Sequence, residues 1–220
     1  MRAGGTAKRL LGMAACGAGL VWSTPAWVHP HVFAEANLEV KVDGDAVTAL
    51  RHVWRFDDLF SSTVLVEFDK NQDLKLDEAE LAEVSDTIFQ SLAEFNYFQL
   101  VTLDGKDVEM TAPAELVATL EDNQLIVFFE SKPKAPFTLS GKVDLGVYDP
   151  TFYTAIEFLK DENMKVDALP PSCARKVVRP DPDEAIAQNQ ASLTDEFFSD
   201  PSGTDMSKIF ATRLEITCQA

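Results

Sequence analysis

The chain has 220 residues, 36 of them acidic and 19 basic, for a formal charge of −17. Its 46% hydrophobic content supports one packed domain, with at most a small appendage, and three Trp, three Tyr and fifteen Phe exclude disorder as the main state. So acidic a surface argues against nucleic-acid binding, which needs a basic face for phosphates, and is compatible with cation binding.

Residues 1–26 read as a signal peptide. Arg2, Lys8 and Arg9 form a positive start, Leu10 to Trp22 is an apolar run too short to span a bilayer, and Thr24-Pro25-Ala26 supplies small residues for cleavage. Cleavage after Val28 is the less favourable alternative. Cys16 makes a poor lipoprotein signal because the apolar run continues past it. The expected product, residues 27–220, is a single periplasmic domain with no transmembrane segment.

Val32 to Trp54 alternates as a β-hairpin, with Asp43-Gly44-Asp45 as its turn. Pairing Asp43 with Ala46 would put His31 near Asp58 and His52 near Asn37, roughly 20 Å along the strand from His31. Asp57-Asp58 then opens a short helix with Phe60, Val64 and Phe68 on one face. A second helix carries Leu81, Val84, Ile88, Leu92 and Phe95, making residues 57–95 a helix–loop–helix unit. Strands are expected at Phe98–Leu103, Val108–Met110, Leu116–Leu120, Leu125–Phe129, Phe137–Tyr148, Phe152–Phe158 and Met164–Val166. A helix at Asp183–Phe198 and a last strand at Phe210–Cys218 follow. This order predicts an α+β fold, mainly antiparallel, with the helical unit inserted after the first hairpin.

The loop between the first two helices carries the strongest chemical signal. Asp69, Asn71, Asp73, the Lys75 carbonyl, Asp77 and Glu80 occupy positions 1, 3, 5, 7, 9 and 12 of an EF-hand-type calcium loop, and Leu76 stands at the apolar eighth position. Calcium takes six to eight oxygens, and this segment offers little else. Position 6 is Leu74 where the sharp turn usually has Gly, at a cost of roughly 1 kcal/mol or more. A single loop suits a structural ion better than a switch.

The chain has three histidines, His29, His31 and His52. His29 and His31 would face the same side of an extended segment, and Asp57 or Asp58 could join them. Such a set suits zinc, nickel, cobalt or copper, although Asp at these positions equally serves as a helix N-cap. Cys173 and Cys218, left after Cys16 departs with the signal, are expected to pair in an oxidising compartment. The bridge closes a long loop and is worth on the order of 4 kcal/mol. No nucleophile elbow, Walker loop, zinc-protease helix or dinucleotide fingerprint occurs, so an enzyme is not expected.

His29-Pro30-His31-Val32-Phe33, Trp54-Arg55-Phe56-Asp57, Phe60-Ser61 and Tyr148-Asp149-Pro150-Thr151-Phe152-Tyr153 together resemble the bacterial periplasmic family called "domain of unknown function 1007". The resemblance implies a periplasmic metal-handling accessory protein of a transport system, working beside a nickel/cobalt-type inner-membrane permease. It draws attention to His29, His31, Asp57 and Asp149. Asp149 before Pro150 also has an ordinary role in a turn. The expectation is therefore a divalent-metal-binding accessory protein with a structural calcium site; the alternative is a calcium-stabilised interaction module with no transition-metal role.

Overall fold

In the computed structural model, residues 30–193 and 206–219 are described. The signal segment, the cleavage positions and His29 lie outside the described residues, as do residues 194–198 of the expected third helix.

The hairpin forms as β1 (Val32–Asp43) and β2 (Ala46–Phe56). Its register opens as expected, Asp43 opposite Ala46, and then shifts between Val42 and Lys41, so that Lys41 faces Ala49 and His52 faces Leu38 instead of Asn37. Thr48 is the extra residue of this bulge, and its hydroxyl donates to the Lys41 carbonyl at 3.2 Å. Helices α1 (Asp58–Phe68) and α2 (Glu78–Ala93) follow. Next come β3 (Gln99–Leu103), β4 (Lys106–Asp107), β5 (Leu116–Glu121) and β6 (Gln124–Ser131). The chain continues through β7 (Phe137–Thr138), β8 (Gly141–Val147), β9 (Thr154–Glu157) and β10 (Met164–Asp167). Last are β11 (Cys173–Val178), α3 (Pro182–Asn189) and β12 (Arg213–Cys218).

Two sheets result. The first runs β10-β1-β2-β6-β5, with β9 also on β1 and β7 on β2; the second runs β11-β12-β8-β3-β4. Among the described residues every pairing is antiparallel except those of β9 and β10, which lie one after the other along the same edge of β1 and run parallel to it. The expected antiparallel architecture therefore carries a parallel edge. Several boundaries also move. Val108–Met110 is not a strand, though Met110 makes an isolated bridge to Pro133. The stretch from Phe137 to Tyr148 is broken between β7 and β8. The third helix begins at Pro182, where the Asp181 side chain accepts from the Glu184 N–H, and ends at Asn189. Strand β11 was not anticipated.

One continuous core joins the sheets and helices. It includes Val40, Leu50, Trp54 and Val127 of the first sheet, Val143, Leu145, Leu214 and Ile216 of the second, and Val64 and Val84 of the helices. Two serines fasten the helices to strand edges. Ser61, fully buried, donates to the Asp57 carbonyl at 2.7 Å and accepts from the Leu125 N–H at 2.9 Å. Ser85 accepts from Ala118 N–H on edge strand β5 at 2.9 Å, occupying a backbone donor that would otherwise be open to another chain. The bridge between Cys173 and Cys218 joins edge strand β11 to β12.

Candidate functional site

The loop from Asp69 to Glu80 joins α1 to α2. Its side chains organise its own backbone. Asp69 accepts from the N–H groups of Asp73 at 3.2 Å and Leu74 at 2.8 Å, Asn71 accepts from Asp73 at 2.8 Å, and Asp73 accepts from Lys75 at 2.9 Å. Glu80, 5% exposed, turns back into the loop and takes the N–H groups of Lys70 at 2.8 Å and Asp77 at 2.9 Å. Asp77 caps α2 through the N–H groups of Ala79 and Glu80, which completes a capping box. Leu76 is buried, as the eighth position requires, and Leu74 sits at φ 62° with its side chain 74% exposed. The left-handed turn usually given to Gly is thus made by Leu.

Among the described residues, no group of three or more His, Cys, Asp or Glu side chains converges as a metal site would. The loop carboxylates rest on backbone N–H groups instead. An ionised carboxylate has about four acceptor positions, so these bonds leave lone pairs for an ion, and the donor set is the all-oxygen one that calcium takes.

The second set of residues lies at one end of the first sheet, where the beginnings of β1 and β9 meet the end of β2. The His31 N–H donates to the Tyr153 carbonyl at 2.8 Å, and the two rings lie 5.1 Å apart at a 38° tilt. Asp57 Oδ2 accepts from Phe33 N–H at 2.8 Å, while Oδ1 caps α1 through Leu59 at 2.9 Å and Phe60 at 3.0 Å. Burial pushes the Asp57 carboxyl up, but the backbone N–H groups outweigh it and hold the group below its ordinary value. Asp149, 6% exposed, accepts from the backbone and hydroxyl of Thr151, both at 2.7 Å, and from Thr154 N–H at 2.8 Å. Asp58 Oδ1 accepts from Gln124 Nε2 at 2.9 Å.

The backbone thus brings three distant sequence segments to one corner, around His31, Asp57 and Asp149. The carboxylates of Asp57 and Asp149 serve the backbone there, as a helix cap and a turn. His52 lies apart, buried on β2 and stacked on Phe129 with ring centroids 4.4 Å apart. Among the described residues, neither of its nitrogens makes a hydrogen bond of good geometry. Burial drives its pKa down to about 3, opposed by the nearby Gln99 side chain, whose own amide is bonded to Ser131 and to the Asn96 carbonyl. The sequence places Ser61 and Tyr153 in the family motifs but assigns neither a role. Ser61 could have been found from its place four residues after the cap; the contact of Tyr153 with His31 depends on the parallel pairing of β9.

The family model described as "Protein of unknown function (DUF1007)" matches residues 14–218, and the chain belongs to that family. An uncharacterised protein of Haemophilus influenzae is 24% identical over 204 residues, covering 91% of this chain and 96% of the relative. A second relative, described as an uncharacterised 15.5 kDa protein in the trpE 3′ region of Spirochaeta aurantia, is 30% identical over 99 residues, or 44% of this chain and 69% of its own length. Among the described residues, no helix is long and apolar enough to cross a membrane.

Proposed function

We propose that this member of the DUF1007 family is an exported accessory protein of the cell envelope whose helix pair is stiffened by one calcium ion in the Asp69–Glu80 loop. The observation that carries the reading is the turn at Leu74. A residue exposed on the loop takes φ 62° at the one position where an EF-hand-type loop needs it, with Asp69 bonded beneath it. Asp69, Asn71, Asp73, Asp77 and Glu80 would hold the ion with their side chains, and Lys75 with its carbonyl. Bound calcium would tie the end of α1 to the start of α2, and through Ser61 and Ser85 fix both helices against the first sheet.

The corner around His31 is then the surface for a partner, such as an inner-membrane permease. The exposed Phe33 and Tyr153 beside it, each 50% exposed, suit protein contact. A second reading places zinc, nickel or cobalt at His29 and His31 with Asp57, Asp58 or Asp149. Its support is the convergence of the three family segments at this corner. The engagement of Asp57 and Asp149 by backbone N–H groups weighs against their acting as ligands.

Thermal melts with calcium and with a chelator test the first reading. An ion at one hundred times its Kd should add about 2.7 kcal/mol, and the Asp69→Ala/Glu80→Ala variant should lose this response. An equal response in variant and wild type refutes the calcium site. Metal analysis of His29→Ala/His31→Ala tests the second reading: unchanged zinc, nickel and cobalt content excludes it.

A further inference from the structure

The face of the second sheet opposite the core carries a cavity of about 520 Å³. Val101, Val143, Leu145, Leu214 and Ile216 point into the core, so Thr102, Asp144 and Arg213, which alternate with them, point the other way. These three line the cavity floor, and α3 with the turn at Lys208 and Ile209 walls it. Strand register sets Thr102 directly opposite Asp144.

Two oxygens on this floor stand out. Thr102 is 8% exposed, and among the described residues both its Oγ1 and Asp144 Oδ1 are buried without a hydrogen-bond partner. Arg213 Nε lies 3.6 Å from Asp144 Oδ1, near enough for attraction but too far for a hydrogen bond. Lys142, 3.5 Å from Asp144 Oδ2, is also paired to Glu215 at 2.7 Å. Buried polar atoms in folded proteins are nearly always partnered. A hydroxyl and a neighbouring carboxylate oxygen, each buried without a hydrogen bond and lining one cavity, mark a place for a group that brings its own N–H or O–H donors.

The two charged groups on the floor choose the class of ligand, and the walls add charges of both signs from Arg179, Asp181, Glu184 and Lys208. Arg213 would repel a lone cation at Asp144, and Asp144 would repel a lone anion at Arg213. A molecule carrying both charges a bond or two apart satisfies both. We propose that this cavity binds a small zwitterion with an α-amino-acid headgroup, its ammonium on Asp144 Oδ1 and Thr102 Oγ1 and its carboxylate on Arg213. An ammonium has donors for both oxygens, and a guanidinium can take a carboxylate with two parallel bonds. This site is separate from the calcium loop and the His31 corner and does not depend on either.

The test is titration calorimetry of the mature protein with the proteinogenic L-amino acids one at a time, with ethylamine, propionate and glucose as controls. At least one amino acid should bind, while ethylamine and propionate, which each carry half of the headgroup, should not. Asp144→Asn and Arg213→Gln should each weaken binding at least ten-fold. Thr102→Val, which keeps the side-chain shape, should weaken it about ten-fold by removing one hydrogen bond. Circular dichroism checks that each variant is folded, and if a charge variant is not, Thr102→Val decides. Binding by no amino acid overturns the proposal, and so does binding of glucose alone or amino-acid binding unchanged in the folded variants.

Discussion

Acid should weaken this fold through His52, by an amount that follows from its surroundings. The ring is 2% exposed, stacked on Phe129, and among the described residues makes no hydrogen bond of good geometry at either nitrogen. Its folded pKa falls to about 3 from an ordinary value of 6.5 because burial penalises the charged form. The unfolded chain therefore binds a proton on His52 between those values while the folded chain does not. The stability that this depression confers is fully present above the unfolded pKa and is lost as pH falls toward the folded one. The slope is about 1.4 kcal/mol per pH unit, which gives roughly 3 kcal/mol lost between pH 7 and pH 4. Urea unfolding across that range, on wild type and His52→Phe, isolates the effect. Phe keeps an aromatic ring over Phe129, and the carboxylates titrate alike in both proteins. The wild type should lose stability relative to the variant as pH falls below about 6.5. Parallel pH profiles would refute the argument and show that the ring keeps a partner or reaches water when protonated.

Other substitutions probe the devices that hold the helices and the second sheet. Leu74→Gly should stabilise the protein by about 1 kcal/mol, since Gly takes a left-handed φ at little cost and the Leu side chain, 74% exposed, packs little; an unchanged urea midpoint would remove the strain argument. Ser61→Ala leaves the Leu125 N–H without its acceptor and should cost about 1–3 kcal/mol, read as a lower urea midpoint with the slope unchanged. Replacing both Cys173 and Cys218 by Ser should cost about 2–4 kcal/mol, and the wild type under reducing conditions should fall to the same midpoint.

Much of the helical unit was legible because its signals are local. Asp57 caps the first helix as expected, Val64 and Val84 point inward, and the left-handed turn stands at Leu74, whereas Asp77, expected only as a calcium ligand, also caps the second helix. The hairpin was legible from its alternation, but its register was not. Thr48 bulges outward within an otherwise regular run, and nothing in its neighbours marks the place. Strand β11 was missed for a physical reason. As an edge strand it exposes Ala174, Arg175 and Lys176, so it lacks the alternation by which strands are recognised. The corner around His31 was legible only as three separate segments. Their meeting depends on the parallel placement of β9 beside β1, a long-range contact that no local pattern encodes. The cavity over the second sheet was not foreseen at all, since Thr102, Asp144 and Arg213 come from three strands far apart in the chain.

That parallel edge also sets an order of events in folding. Strand β1 is made early, and β2 can pair with it across a two-residue turn. Its other edge waits for residues 154–157 and 164–167, which are made more than a hundred residues later. Until then the young chain presents a row of open backbone groups, flanked by the apolar side chains of Val32, Ala34, Leu38 and Val40. Contacts so distant in sequence form slowly, and an open strand edge invites pairing with other chains. Strand β1, early to appear, is thus among the last to be closed, and a chain cut short before Thr154 would aggregate through that edge.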